Sequence, residues 1–214
     1  MASTWPCSSS PVGLRDRIRP WLQDFAMGMM DDLRPATIMD ASGDVLEIGF
    51  GTGRNLRHYP ADVRSVWGID PMVTNGVDPV ERRIEEAPFP VERSVLSADR
   101  PLPFDGGRFD CVVTSWTLCS IPDARAALAE MRLVLKPGGR YLFIEHGRGR
   151  VARTIRWQDR LNPIWRRLTE GCNINRPIDE LVESAGFELS SVDEFQGKGP
   201  SVVSHLYRGV ATRV

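Results

Sequence analysis

The sequence is poor in several features that mark specialised classes of protein. Its 214 residues carry a formal net charge of -1 and no run of basic residues, which argues against nucleic acid as a partner. The four cysteines form no CxxC pair and no secretory leader precedes them, so a reducing, cytoplasmic location is expected. No stretch approaches the roughly 20 apolar residues that a membrane-spanning helix needs. We therefore expect one domain with a single core.

Histidine is also scarce, and this limits the metal chemistry that can be predicted. The three histidines, His58, His146 and His205, have no second histidine or cysteine at helical spacing. Because zinc sites are usually recognised by closely spaced ligands of these types, the sequence predicts no metal site. Lysine is nearly absent too, with Lys136 and Lys198 the only examples, and we attach no function to that bias.

The N-terminal part of the chain differs in composition from the rest. Residues 1–13 are rich in serine, proline and glycine, so we expect either a mobile tail or a strap that becomes ordered on ligand binding. Apolar residues then recur at steps of three and four from Leu14 to Leu33, which predicts an amphipathic helix ending before Pro35. This helix either packs on the core or forms a lid whose Trp21 contacts a substrate. We assign residues 1–34 to this tail and lid helix, and residues 35–214 to the main domain.

From Asp44 onward, predicted strands and helices alternate, which is typical of an α/β protein with parallel strands. A short helix is expected after the glycine turn, and further helices are expected around residues 78–87, after Pro122 and from Pro177 to Ala185. The predicted strands are VLEIG, SVWGID, VERSVLSAD, FDCVVTSW, GRYLFIEH, FELSSVDEF and VVSHLYRGVAT.

A glycine-rich segment follows the first predicted strand. Its sequence, EIGFGTG over residues 47–53, places glycines where the backbone must turn tightly and approach a ligand closely. Arg54 stands where a dinucleotide-binding fingerprint would need a further glycine or alanine, which disfavours NAD and FAD. A purely structural turn is the alternative interpretation of this segment alone.

Two acidic residues follow the next two predicted strands. Asp70 closes the second strand, where an acid can accept both hydroxyls of an adenosine ribose, although an Asp-Pro turn would also place an aspartate there. Asp99 ends the third strand, where it could accept the adenine amine or simply be a loop acid. Together with the glycine loop, these acids fall at the carboxyl ends of successive strands, and that arrangement predicts one crevice for a nucleotide-like cofactor.

These segments resemble the successive motifs of class I S-adenosylmethionine methyltransferases. The resemblance is carried by VLEIGFGTGRN, GID, SADRPLPF, FDCVVTSWTLCSIPD and LKPGGRYLFIEH, over roughly residues 44–146. The segments RWQDRLNPIW and GCNINR resemble more narrowly the alkyl thiol S-methyltransferases and their bacterial relatives. The resemblance implies a Rossmann-like fold: a mostly parallel seven-stranded sheet with an antiparallel C-terminal strand and helices on both faces.

The resemblance also implies a cofactor, S-adenosyl-L-methionine, and residues that hold it. Glu47 and the loop glycines would hold the methionine part, Asp70 the ribose and Asp99 the adenine. The full set that we assign to the cofactor is Glu47, Gly49, Gly51, Gly53, Asn55, Asp70, Pro71, Ala98, Asp99 and Thr114. The sequence departs from the family at Phe50, where a small residue is usual, and residues 1–13 do not resemble the apolar N-terminal anchor of the animal members, so we do not expect such an anchor here.

The acceptor site is expected in an insertion at about residues 147–176. His146 is the candidate for deprotonating or orienting a small-molecule acceptor, and a structural histidine is the equal alternative. For the two cysteines of this set, packing is the favoured interpretation. The residues that we assign to the substrate are Trp21, Trp116, Cys119, Trp157, Trp165, Cys172, Asn175 and Arg176.

The insertion contains seven arginines and one acid between Arg148 and Arg167, with aromatic and aliphatic residues at helical spacing. Such a helix either folds over the acceptor site with its tryptophans inward, which we favour, or lies weakly on an anionic membrane surface.

The predicted reaction is methyl transfer to a thiol or sulfide, because a thiol ionises enough at neutral pH to react without a strong base. The alternatives are oxygen or carbon methylation of a quinone or secondary metabolite, and cofactor binding without catalysis.

Overall fold

The computed structural model describes residues 14–72, 78–97 and 101–214, and in this part of the chain seven strands form one sheet. The strands lie in the order β3-β2-β1-β4-β5-β7-β6. Only β7 runs antiparallel to its neighbours, which are β5 and β6. The fold class predicted from the sequence is therefore confirmed. The strands are β1 (Gly43–Ile48), β2 (Val63–Asp70), β3 (Val91–Val95), β4 (Phe109–Ser115), β5 (Leu135–His146), β6 (Phe187–Gln196) and β7 (His205–Arg213).

Helices cover both faces of the sheet, because successive residues of the central strands point to opposite sides. Leu46 of β1 belongs to a core that includes helices α4 and α6, whereas its neighbour Val45 belongs to a core that includes α2 and α3. The helices are α1 (Leu14–Gly28), α2 (Arg34–Ile38), α3 (Asp78–Glu85), α4 (Ala124–Val134), α5 (Ala152–Leu168) and α6 (Ile178–Ser184). Among the described residues, no helix has the length and apolarity needed to span a bilayer.

The predicted N-terminal helix is wrong at its C-terminal end. It stops at Gly28, and a short 3-10 turn at Asp31–Leu33 leads into α2. Pro35 stands in the first turn of α2, where a missing amide hydrogen costs nothing. Proline therefore begins a second helix here instead of ending the first.

Two further boundaries differ from expectation. The glycine loop leads only into a 3-10 turn at Leu56–His58, and β3 ends at Val95, before the predicted end of the third strand. Ala98 and Asp99, assigned to the cofactor, lie outside the described residues, as does the predicted tail over residues 1–13.

The topology locates the crevice. The sheet order reverses between β1 and β4, whose neighbouring strands lead away in opposite directions. In sheets of this kind, ligands bind beyond the carboxyl ends of the strands at such a reversal. Ile48 pairs with Ile69 of β2 and with Thr114 of β4, so the loops after these three strands meet at one edge.

Candidate functional site: a cofactor crevice beside an acceptor cluster

The glycine loop after β1 has a backbone conformation that ordinary residues rarely adopt. Gly49, Gly51 and Gly53 all have positive φ, at 79°, 54° and 73°. A Cβ on Gly49 would lie 1.9 Å from Oγ1 of Thr117, in the loop after β4. The loop therefore needs glycine both for its turn and for the close approach of a neighbouring loop.

Asp70, at the end of β2, is hydrogen-bonded to this loop. One of its carboxylate oxygens accepts a hydrogen bond from the Gly51 amide at 2.9 Å, and the other accepts one from the Met72 amide at 2.8 Å. The glycine loop and the acid after β2 are thus brought together, as the motifs predicted. A small cavity of about 70 Å³ opens beside them. It is lined by Phe50, Gly68, Asp70, Met72, Arg93, Ser94 and Val95.

Phe50, the residue that departs from the family pattern, packs into the core. It is 4% exposed, and its ring lies against Gly68 of β2, where an added Cβ would come within 2.4 Å of the ring. The absence of a side chain at Gly68 makes room for the aromatic ring, so the loop keeps its turn despite the larger residue. Pro71 follows Asp70 at the mouth of the crevice and is exposed.

Glu47 is the centre of a buried polar network behind the loop. Its carboxylate accepts hydrogen bonds from the Tyr59 hydroxyl at 2.8 Å and from the Asn55 amide at 3.0 Å. The Asn55 oxygen in turn accepts a hydrogen bond from Arg34 at 2.8 Å. Burial raises the pKa of Glu47 to about 7, although Tyr59, Arg34 and Asn55 each oppose the shift. Glu47 is therefore poised to gain or lose a proton near neutral pH.

Sequence reasoning missed Arg34 and Tyr59 as parts of this network. Arg34 is only 4% exposed, and its guanidinium lies 5.1 Å from the centre of the Trp116 ring. It falls at the end of the predicted lid helix, where an arginine before a proline carries no recognisable signal. Nothing around Tyr59 in the sequence shows that its hydroxyl meets Glu47.

Helix α1 is joined to the glycine loop by Asp24, a residue that the sequence analysis did not single out. Its carboxylate accepts hydrogen bonds from Thr52 at 2.6 Å, Arg54 at 2.7 Å and Arg83 at 2.6 Å. Burial raises the pKa of Asp24, but these hydrogen bonds outweigh it and hold the pKa well below its usual range. Trp21 of the same helix is 52% exposed, so the acceptor role assigned to it stays a prediction.

Two assigned residues on β4 and its following loop have different surroundings. Thr114 is fully buried, and its hydroxyl shares a 2.8 Å hydrogen bond with that of Tyr141, so the structure does not bring its side chain to the crevice. Trp116 has a φ of 53°, a strained conformation for a bulky residue. Its buried indole nitrogen has no hydrogen-bond partner among the described residues. Strain and an unused donor at one position favour a functional role for Trp116.

Three of the residues assigned to catalysis or substrate binding meet at the loop after β4. The Sγ atoms of Cys119 and Cys172 are 3.6 Å apart, and Nδ1 of His146 lies 3.6 Å from Sγ of Cys172. Both cysteines are buried, whereas His146 is partly exposed. The hydrogen bond between the two thiols lowers the pKa of Cys172, and the same bond together with burial raises the pKa of Cys119. Glu145 cannot serve here as a free base, because its carboxylate accepts the backbone amides of Thr117 and Cys119.

The insertion is fastened to this cluster by amide side chains. Asn173 donates to the carbonyl of Cys119 at 2.8 Å, and Asn162 of α5 donates to the side-chain oxygen of Asn173 at 3.2 Å. Arg176 donates to the carbonyls of Leu118 and Pro122, so it holds the loop after β4 in place. Asn175 instead bonds to Asp159 near the surface. Of the two polar residues assigned to the substrate, Arg176 borders the cluster, and neither has a side chain free of protein partners.

Of the two tryptophans of helix α5, only Trp165 faces the protein interior. Trp165 is half-buried against Cys119, Cys172 and Ile174, whereas Trp157 is 46% exposed. The expectation that both tryptophans point inward is therefore wrong for Trp157. The buried face of α5 carries instead the side chains of Gln158 and Asn162, which bond to neighbouring backbone and side-chain groups.

The fold and crevice define a class of architecture: they are similar to those of class I, Rossmann-like methyltransferases. Residues 46–143 match a family model described as a methyltransferase domain. The chain is 32% identical over 154 residues to the thiol S-methyltransferase TMT1A of Homo sapiens, covering 71% of this chain and 63% of that protein. It is 36% identical over 107 residues to the ubiquinone/menaquinone biosynthesis C-methyltransferase UbiE of Burkholderia vietnamiensis, covering 47% of this chain and 42% of that protein.

Solved structures agree with this fold. The geranyl diphosphate methyltransferase solved in complex with S-adenosylmethionine superposes with a TM-score of 0.63 at 14% identity. The match covers 96% of this chain and 93% of that chain. The chain spans about three fifths of the length of the thiol S-methyltransferases that it matches. The resemblance to these enzymes that the motifs predicted is confirmed.

The residues of the crevice fit S-adenosylmethionine, and the family match supports this cofactor. The glycine loop has no side chain at Gly49, where one would clash with Thr117, and Asp70 presents a carboxylate at the mouth of the crevice. A carboxylate in this position suits ribose hydroxyls, and a neighbouring glycine backbone suits a ligand that must come close.

Proposed function

We propose that this protein transfers a methyl group from S-adenosylmethionine to the sulfur of a small thiol or sulfide. The observation that carries the proposal is the position of the Cys119, His146 and Cys172 cluster. It lies beyond the ends of β4 and β5, the two strands that follow β1 across the reversal in the sheet. A cofactor in the crevice would therefore have this cluster on its acceptor side.

The chemistry of the site favours sulfur as the acceptor atom. A hydroxyl or amine would need a well-placed base, whereas a thiol with a pKa near 8.5 is already a few per cent thiolate at pH 7. Glu145 is fully buried and engaged by two backbone amides, so of the two polar residues that end β5 it is His146 that can move a proton. The similarity to thiol S-methyltransferases points the same way.

The protein's part in such a reaction is mainly alignment. S-adenosylmethionine supplies a methyl group on a sulfonium, and the acceptor's lone pair forms the new carbon–sulfur bond as the old one breaks. Asp70 and the glycine loop would fix the ribose and methionine ends, while Trp116 and Trp165 would keep water from the reacting atoms. The thiol proton leaves to His146 or solvent.

An acceptor screen with methyl-labelled cofactor tests this assignment. The panel contains sulfide, alkyl thiols, phenols, quinols and phosphatidylethanolamine, and we expect label on the thiols. Efficient methylation of a quinol with none of any thiol would replace the proposal with carbon or oxygen methylation, which the similarity to the UbiE protein keeps open. Calorimetric binding of S-adenosylhomocysteine without turnover of any acceptor would favour a non-catalytic binder.

The outward face of α5 supports a second proposal, weak contact with an anionic membrane surface. Trp157, Leu161, Ile164 and Leu168 are exposed, at 46%, 37%, 57% and 75%. Exposed arginines at 153, 156, 160 and 167 share this face. A helix with arginines among large apolar side chains suits the interface of an anionic bilayer.

Vesicle co-sedimentation tests this surface. We expect binding to phosphatidylglycerol vesicles, weaker binding to phosphatidylcholine vesicles, and loss of binding in Trp157→Ser/Ile164→Ser. Binding that is the same in the double variant would exclude α5 as the contact. This result is independent of the acceptor screen.

A further inference from the structure

Three soft metal ligands from three distant parts of the chain converge beside the proposed acceptor site. Cys119 follows β4, His146 ends β5, and Cys172 follows α5. Their ligand atoms all lie within 4.8 Å of one another. The three ligands are 27 and 26 residues apart along the chain, so they show no helical spacing, and the sequence therefore predicted no metal site.

We propose that Cys119, His146 and Cys172 bind a zinc ion. Tetrahedral zinc with Zn–S near 2.3 Å and Zn–N near 2.0 Å places two sulfurs about 3.8 Å apart, and a sulfur and a nitrogen about 3.5 Å apart. The observed separations are 3.6 Å between the sulfurs and 3.6 Å between Sγ of Cys172 and Nδ1 of His146. These two separations match zinc as they stand, and the third pair, Cys119 and His146, lies within 4.8 Å and would need to come to about 3.5 Å.

The backbone around the cluster is already fixed, which reduces the cost of assembling a metal site. The Cys119 amide donates to Glu145 at 3.1 Å, and the Cys119 carbonyl accepts from the backbone and side chain of Asn173 at 2.9 and 2.8 Å. Asn173 directly follows Cys172, so the two thiol-bearing loops are tied together. Neighbours that fix the orientation of metal ligands typically raise metal affinity by about 10- to 100-fold.

Three protein ligands leave the fourth tetrahedral position open, as in catalytic zinc sites. Resting on the proposed function, we assign that position to the acceptor thiol. On binding zinc the thiol would release its proton to solvent and remain as a thiolate, whose lone pair attacks the methyl carbon. Zinc would thus provide the ionisation that a general base provides for other acceptors, and the site needs no carboxylate for this purpose.

Metal content tests the site without any turnover. The full chain is purified with a phosphine reductant, equilibrated with Zn²⁺, passed into metal-free buffer and analysed by mass spectrometry of the metal. We expect one zinc per chain. Replacing zinc with Co²⁺ should produce thiolate-to-cobalt charge-transfer absorption and the intense visible bands of tetrahedral cobalt. Adding an alkyl thiol should then change the cobalt spectrum.

Variants identify the ligands. Cys119→Ser, Cys172→Ser and His146→Gln should each lower zinc affinity at least tenfold, whereas the control Cys111→Ala should retain it. Cys111 is equally buried, at 1% exposed, but lies outside the cluster. Calorimetry with S-adenosylhomocysteine confirms that each variant is folded. If a ligand variant does not fold, the cobalt spectrum of the unaltered chain still decides the question.

Several results would overturn the zinc site. One is folded, reduced protein that holds no stoichiometric zinc and shows no thiolate-to-cobalt absorption. Another is a Cys119–Cys172 disulfide present in protein kept under reductant. Thiol methylation that is unaffected by chelator and by Cys172→Ser would refute the zinc site while the proposed function stands. Zinc bound through these residues, with no thiol methylated, would instead refute the proposed function and leave the site.

Discussion

The cofactor crevice and the cluster of Cys119, His146 and Cys172, which we propose as the acceptor cluster, are built in different ways. The crevice comes from adjacent pieces of chain: the glycine loop and Asp70 are 19 residues apart along the sequence and joined by one hydrogen bond. The acceptor cluster comes from three segments, the outermost 53 residues apart. A local motif can therefore be recognised in a sequence, whereas a site assembled by sheet order and an insertion cannot. Variants that separate the two regions test this difference.

The largest effect is expected at Gly49, where the crevice depends on a missing side chain. In Gly49→Ala the new Cβ would meet Oγ1 of Thr117 at 1.9 Å, and the positive φ adds strain. We expect a loss of more than about 3 kcal/mol in the free energy of unfolding, measured with urea, and no detectable binding of S-adenosylhomocysteine.

Gly138→Ala is the matched control, because Gly138 has a φ of 75° but nothing within 4 Å of its Cβ position. Its free energy of unfolding should fall by only about 1 kcal/mol, which is the strain of the positive φ alone, and it should bind cofactor normally. Equal losses in the two variants would mean that the contact with Thr117 is unimportant.

The next effect concerns the charge of Glu47. Its pKa is raised to about 7 in the folded chain from an unfolded value near 4.5, so only the folded state holds this proton between those values. The contribution to stability is complete below about pH 4.5 and is lost as the pH rises to about 7, by roughly 3 kcal/mol. Urea unfolding at pH 5 and pH 8 without cofactor measures this loss, and Glu47→Gln should reduce it. A Glu47→Gln variant with the same pH dependence as the original chain would rule out Glu47 as its source.

A smaller and more specific effect is expected at Asp70. Asp70→Ala removes a carboxylate at the mouth of the crevice, and hydrogen bonds to charged groups contribute roughly 1.5 to 3 kcal/mol each. Affinity for S-adenosylhomocysteine, measured by calorimetry, should fall at least tenfold while zinc content and folding are retained. Unchanged cofactor affinity in a folded variant would remove Asp70 from the cofactor site.

The smallest effect should separate the acceptor region from the crevice. Asn173→Ala loses the side-chain bonds to the Cys119 carbonyl and to Asn162 but keeps the backbone bond to Cys119, so we expect about 2 kcal/mol lower stability and weaker binding of the acceptor, with cofactor affinity unchanged. Asn175→Ala is the control, since its bond to Asp159 lies near the surface, and its stability should change by less than about 0.5 kcal/mol. A fall in cofactor affinity for Asn173→Ala would show that the two regions are energetically coupled.

Much of the cofactor region could be predicted because its signals are local. Alternating strands and helices, a glycine turn and an acid at a strand end each follow from backbone geometry within a few residues. Helix boundaries were less predictable: Pro35 begins α2 because proline suits the first turn of a helix as well as it terminates one. The apolar stripe of the insertion was also ambiguous, since Trp157 and Trp165 lie eight residues apart on one helix but face different surroundings.

From the order of residues alone, the class of fold, the glycine loop and the acid after β2 could be derived, because their conformations depend on nearby residues. The burial of Arg34 beside Asn55 and the meeting of Cys119, His146 and Cys172 depended on the folded sheet. These contacts join segments whose separation along the chain carries no periodic signal. Only the packing of β1, β4, β5 and the insertion around a common edge brings their side chains within a few ångströms.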